Sequence, residues 1–244
     1  MSNPVNPAVI DELAPGGVLR AAINYGNPVL AQKGRDGSPQ GVSVALAKAL
    51  AEELGVRLEM VTFDAAGKVF AALEEGAWDV AFLAIEPVRA RQIAFSEPYV
   101  LIEGTYLVAA DSPYLKVEDL DRPGLRLAVG KGAAYDLFLS RTLQHAQLER
   151  ADTSAGAVDL YLAQGLDAAA GVRQPLEKVA AGDPRQRVLE GAFTSIRQAM
   201  AVPIRRKAAA AFIRDFVERR KVEGFVRSAL VQSGQSDVTV APPA

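Results

Sequence analysis

The 244-residue chain has no cysteine, one histidine, one tryptophan and three methionines, and these shortages remove whole classes of chemistry. Without cysteine there is no disulfide framework, no thiolate zinc or iron–sulfur site and no cysteine nucleophile. A cysteine-free chain tolerates reducing and oxidising compartments alike. His145 alone would have to carry any Ser-His-Asp triad or histidine-based metal site, and Leu143-Gln144-His145-Ala146 reads as the end of an amphipathic helix with His145 at the surface. No metal site and no cofactor are expected. Long apolar runs are missing too. Every alanine-rich stretch is broken by Glu, Lys, Asp or Arg within a turn or two, so nothing approaches the ~20 apolar residues of a spanning helix, and no membrane insertion is expected. Excess charge of either sign is absent, with 27 basic against 29 acidic residues and a net charge of -2. Such a balance gives no bulk attraction to nucleic acid or anionic lipid. The start of the chain, residues 1–7, is polar and proline-broken and lacks the basic start and apolar core of about 7–15 residues that mark a secretory signal.

Half of the residues are hydrophobic and 23% are charged, enough apolar material for a folded core and for one large domain or two small ones. Short strand-like runs alternate with helical patterns along the chain, which predicts α/β architecture with mainly parallel strands. Residues 18–23 read as a strand. Val44, Leu46, Ala47, Leu50 and Leu54 follow helical spacing and stop at Gly55, residues 57–63 form the next strand, and a helix through Val69, Phe70 and Leu73 ends at Gly76 before a strand at 78–83. A second unit of the same kind follows: strands at 126–129, 148–151 and 167–171, with helices at 133–143 and 154–163. Each half contains a helix stopped by glycine and then an aspartate opening a small-residue strand, Gly76 with Asp79 and Gly165 with Asp167. This repetition predicts two similar lobes.

Residues 105–109 and 196–202 are extended with little helical character and are expected to be crossings between the lobes. Lobe one then comprises residues 1–107 and a return at 199–244, and lobe two residues 108–198. Two crossings make a hinge, and a hinge makes a cleft suited to a small molecule.

The run Ala84-Ile85-Glu86-Pro87-Val88-Arg89 to Phe95-Ser96-Glu97-Pro98-Tyr99 resembles the family-3 extracellular solute-binding proteins of polar amino-acid ABC transporters, whose usual form is T-x-E-R, a short helix and D-F-S-x-P-Y. The resemblance extends from the first strand through Gln198-Ala199-Met200-Ala201-Val202-Pro203. It implies a two-lobed type II periplasmic-binding-protein clamshell, each lobe a mainly parallel sheet flanked by helices, with a two-segment hinge. Arg89 matches the family arginine that holds the ligand's α-carboxylate, a role suited to a planar guanidinium with a permanent charge. Ala84 stands where the family often has a hydroxyl, and Gly132-Ala133 where it often has Gly-Thr or Gly-Ser. The backbone N–H groups of Gly132, Ala133 and Ala134 at a helix start would still favour an anion. Gly130-Lys131-Gly132 lacks the spacing of a phosphate loop. Val172 occupies the place of the family's ammonium-binding aspartate and Arg173 follows it, which argues for an anionic ligand over a standard amino acid. Lys68 and Lys131 could assist or could be solvated surface. Tyr25 and Asn27 follow the first strand at its carboxyl end. Tyr25 is expected to be an aromatic wall, with Phe82 or Phe63 as further wall residues or as plain core.

Three functions follow from these residues. The first is a non-enzymatic binding protein, expected to be monomeric, that captures a small carboxylate-bearing ligand, amino-acid-like or another organic anion, for an ABC transporter permease. The resemblance implies a periplasmic location, whereas the polar start leaves the cytoplasm open. The second is an enzyme like the cyclohexadienyl dehydratases of the same fold, which needs a positioned acid where this chain has Gln174, Pro175 and Leu176. The third is a ligand-sensing module.

Overall fold

A computed structural model describes residues 5–244, so residues 1–4 of the polar start lie outside the described residues. The chain runs through α1 (Pro7–Leu13), β1 (Val18–Asn24), a small hairpin of β2 (Gln32–Lys33) and β3 (Pro39–Gln40), α2 (Val42–Leu54), β4 (Arg57–Phe63), α3 (Ala66–Ala71), β5 (Val80–Ala84) and β6 (Ile93–Ala109). It continues with β7 (Arg126–Gly130), α4 (Ala134–Thr142), β8 (Gln147–Ala151), α5 (Ser154–Gln164), β9 (Ala168–Val172), α6 (Arg173–Gly182) and β10 (Gln186–Val188). The last elements are β11 (Thr194–Pro203), α7 (Lys207–Val222), α8 (Phe225–Gln232) and β12 (Thr239–Val240).

These elements form two compact units. The first comprises the described part of Met1–Phe63 with Lys68–Leu101 and Arg197–Ala244, and the second Asp64–Gly67 with Ile102–Ile196. The chain thus changes unit between Leu101 and Ile102, earlier than the expected boundary after residue 107. Backbone pairing explains the position, because Gly104 to Leu107 run antiparallel to Val172 to Ala169 and belong to the sheet of the second unit.

In the first unit β1 lies parallel between β4 and β5, and β11 runs antiparallel to β5. All five residues of β5 are buried, as expected of a strand covered on both faces. Helix α2 buries Val42, Val44, Leu46, Ala47, Leu50 and Leu54, each large side chain contributing about 1.5–3 kcal/mol. Gly55 ends it in the left-handed conformation, φ 67°, which a glycine adopts without a Cβ penalty. Helix α7 packs on α1 and α8 and buries Ile213, Phe216 and Val217.

The second unit repeats the plan. Strand β7 lies parallel between β8 and β9, while the second half of β6 runs antiparallel to both β9 and β10. Its core gathers Leu107, Ala128, Tyr161, Leu166, Ala169 and Leu176. The two units also share one backbone device. In the first, Asp79 N–H donates to the Arg20 carbonyl at 2.8 Å while Arg20 N–H donates to Asp79 Oδ2 at 3.0 Å. In the second, Asp167 N–H donates to the Arg126 carbonyl at 3.0 Å and Arg126 N–H to Asp167 Oδ2 at 2.8 Å. Each aspartate follows a left-handed glycine, Gly76 or Gly165.

One element is shorter than expected. The helix through Val69 and Phe70 ends at Ala71 and reaches Gly76 only through tight turns, with Leu73 N–H donating to Phe70 and Gly76 N–H to Leu73. The Val69 carbonyl, which would accept Leu73 N–H in a continued helix, accepts the buried Trp78 indole N–H at 2.9 Å instead.

Candidate ligand-binding site

Within the first unit the expected residues gather at the carboxyl edge of the parallel strands. Tyr25 follows β1 and its N–H donates to the Phe63 carbonyl at the end of β4, 2.8 Å away. Ala84 closes β5, and its carbonyl accepts the Arg89 Nη1–H at 3.0 Å. The Arg89 residue is 1% exposed and sits in a short 3-10 turn, where its own N–H donates to the Glu86 carbonyl. Burial pushes the guanidinium down to about 10, with the charge of Glu86 acting in the opposite direction. Arg89 therefore stays protonated at neutral pH, a desolvated cation whose interaction with an anion is much stronger than it would be in water.

Tyr25 is half-buried, with Lys33 Nζ 5.2 Å from its ring centroid. Burial raises its phenol above the ordinary value. Asn27 shapes the following loop: its Oδ1 accepts Val29 N–H at 3.2 Å and its carbonyl accepts Leu30 N–H at 3.0 Å. Lys68 lies exposed on α3. Phe82 is 3% exposed and packs edge-on against the buried Tyr99, with ring centroids 6.3 Å apart. That position favours the plain-core alternative for Phe82.

In the second unit the expected residues also follow parallel strands, Gly132 to Ala134 after β7 and Arg173 after β9, but local groups already occupy them. Gly132 N–H donates to Asp136 Oδ2 at 2.8 Å and Ala133 N–H to the Gly130 carbonyl at 3.1 Å. Asp136 is 3% exposed, stands in the first turn of α4 and also meets Arg150 Nη2 at 3.0 Å. The start of α4 thus has its own internal anion, which corrects the expectation that Gly132 and Ala133 are open donors. An acidic residue in a helix's first turn is a readable sequence signal, and Tyr135-Asp136 carries it.

Arg173 is likewise engaged within its own unit. Its Nε lies 2.5 Å from Glu103 Oε2, Nη1 lies 3.7 Å from Glu177 Oε1, and Nη2 donates to the Gly191 carbonyl. The reading of Arg173 as an open cation is corrected by these partners. Glu103 stands 70 positions away in sequence, a separation that no local pattern reveals. Lys131 is exposed. His145 is exposed in the turn after α4, and its N–H donates to Asp121 Oδ1 at 2.8 Å. Among the described residues no group of histidine and carboxylates is placed to hold a metal ion.

Comparison with known proteins decides the family. The model of the bacterial extracellular solute-binding proteins, family 3, matches residues 19–238. The chain belongs to that family. Among solved structures, this family-3 chain is similar to a mutant of ArgBP from T. maritima, with 25% identity, a TM-score of 0.79 and coverage of 93% of this chain and 99% of that one. It is also similar to an ancestral amino acid-binding protein described as a precursor of cyclohexadienyl dehydratase, at 25% identity and a TM-score of 0.76, over 91% and 98% of the two chains. The mixed α/β fold is thus that of the type II periplasmic binding proteins. A curated relative, the cyclohexadienyl dehydratase of Pseudomonas aeruginosa, is 27% identical over 143 residues, 57% of this chain and 53% of that enzyme. The match therefore spans about half the length of that relative. Among the described residues of this family-3 protein, no helix is long and apolar enough to cross a membrane.

Proposed function

We propose that this chain captures a small carboxylate-bearing molecule through Arg89 and delivers it to an ABC transporter permease without chemically changing it. The observation that carries the reading is the Arg89 guanidinium, 1% exposed and anchored to the Ala84 carbonyl at the carboxyl edge of β5. A desolvated planar cation recognises a carboxylate by charge and by geometry. Tyr25 supplies the aromatic wall, and Asn27 shapes the loop that bears it.

A thermal-shift screen over amino acids, simple monocarboxylates and dicarboxylates tests the proposal. At least one of these carboxylates should raise the melting temperature. Arg89→Ala should abolish the shift, because truncating one partner of a buried charge pair costs about 2–5 kcal/mol of affinity. Arg89→Lys keeps the charge but not the fork and should retain partial binding. An undiminished shift in a folded Arg89→Ala protein would refute the assignment.

A second reading, dehydratase activity, is favoured by the match to the Pseudomonas aeruginosa enzyme. Its difficulty is Gln174, Pro175 and Leu176, where an acid is required. Turnover of prephenate or arogenate by the purified protein would establish it over simple binding.

A further inference from the structure

We propose a second small-molecule site, in the second unit and separate from Arg89, that takes an organic cation with a small apolar body. A groove of about 660 Å³ lies between α5 and the edge formed by the end of β6 and the start of β10. Its volume falls within the ~300–1,000 Å³ common for small-ligand sites. Ala109, Ala110, Leu162 and Pro184 give it apolar walls, and Leu162 keeps 46% of its surface exposed there. An exposed leucine facing a concave surface has apolar area to lose to a ligand.

The charges in the groove are unequal. Arg185 lines it, but its guanidinium is held by Asp183 at 2.9 Å through both Nε and Nη2, so that pair is electrically closed. Asp111 also lines the groove, and none of the ion pairs of the described residues includes its carboxylate. Asp111 is thus the charged side chain of the groove that no ion pair of the described residues includes. The neighbouring Tyr161 phenol is raised above its ordinary value, first by burial and then by the fields of Asp111 and Asp183.

The loop that bears Asp111 is fixed in advance. Arg187 donates through Nε to the Ala110 carbonyl at 3.3 Å, and through Nη2 to the Ser112 carbonyl at 2.9 Å and the Tyr114 carbonyl at 2.6 Å. On the opposite wall Tyr161 O–H donates to Gln186 Oε1 at 2.6 Å, which ties α5 to β10. A preformed groove with one open carboxylate beside apolar walls avoids much of the ordering cost of binding. The matching ligand places an ammonium at Asp111 and an aliphatic or aromatic body against Leu162 and Pro184.

Benzylammonium is a suitable probe for saturation-transfer NMR on the full chain. Transfer to its ring and methylene protons is expected, and neutral benzyl alcohol should bind about fivefold more weakly, the scale of one partly solvated ion pair. Asp111→Asn should weaken benzylammonium by the same factor, and Leu162→Ser should weaken both probes. Arg89→Ala should leave benzylammonium binding intact, which separates this site from the carboxylate site. The proposal falls if benzylammonium does not bind, if the alcohol binds equally well, or if Arg89→Ala abolishes binding while a folded Asp111→Asn protein keeps it.

Discussion

Asp79 and Asp167 hold equivalent backbone positions in the two units but differ in what surrounds their side chains. The Asp79 side chain is fully shielded and meets Arg20 Nε at 2.9 Å and Arg206 Nη1 at 2.8 Å. It joins β1, the approach to β5 and the start of α7. Asp167 accepts one backbone N–H at a half-exposed edge. Removing one partner of a buried ion network leaves charges without compensation. Both arginines keep 24–32% of their side-chain exposure, which lowers that cost. Asp79→Asn should therefore destabilise the protein by about 3 kcal/mol, and Asp167→Asn, whose amide oxygen still accepts a hydrogen bond, by less than about 1 kcal/mol. Urea midpoints of the two variants measure the difference, and equal losses would show that the ion network contributes nothing beyond the backbone clasp.

At the scale of elements, the strands and the glycine-stopped helices were legible from sequence because their signals are local. Alternating apolar runs, the left-handed Gly55 and Gly165, and the aspartates after Gly76 and Gly165 each lie within a few residues of what they specify. What was not legible depends on distant partners. The shortening of α3 follows from a Trp78 indole that captures the Val69 carbonyl, and the neutralisation of Arg173 follows from Glu103 on another strand. Of the candidate site, the motif singles out Arg89, which the fold buries, whereas the occupied start of α4 requires the fold of Asp136 back onto Gly132. Asp121 is a further long-range device. Its carboxylate accepts the N–H groups of Gln144, His145 and Ala146 at 2.8–3.2 Å and so fixes the turn from α4 into β8. Burial alone would push the carboxyl above its ordinary value by disfavouring the charged form, but these three donors outweigh it and the net shift is downward. A depressed carboxylate stabilises above its unfolded value, about 4, and that stabilisation is lost as pH falls through the lower folded value. The gap in urea midpoint between the wild-type protein and Asp121→Asn should be open at pH 7 and should close progressively below about pH 4. A gap independent of pH would mean that the amide substitution acts by packing and not by charge.

For the whole molecule, the two units differ in how the chain builds them. Nearly all of the second is one continuous stretch, Ile102–Ile196. Its strand pairings from β6 through β9, β7 and β8 close within that stretch, as do helices α4, α5 and α6 and the core of Leu107, Ala128, Tyr161, Ala169 and Leu176. The first unit depends on both ends of the chain. Strand β5, buried along its whole length, is covered on one edge by β11, and α1 packs on α7. A fragment of residues 102–196 should therefore fold alone, with a dispersed amide spectrum and a cooperative transition at lower denaturant than the full chain, since a smaller domain buries a smaller share of its surface. A fragment of residues 1–101 lacks β11 and α7 and leaves the β5 edge unpaired, so it should aggregate or remain unfolded. A collapsed spectrum for the 102–196 fragment, or a well-folded monomer from residues 1–101, would show that the units do not stand as this chain connectivity requires.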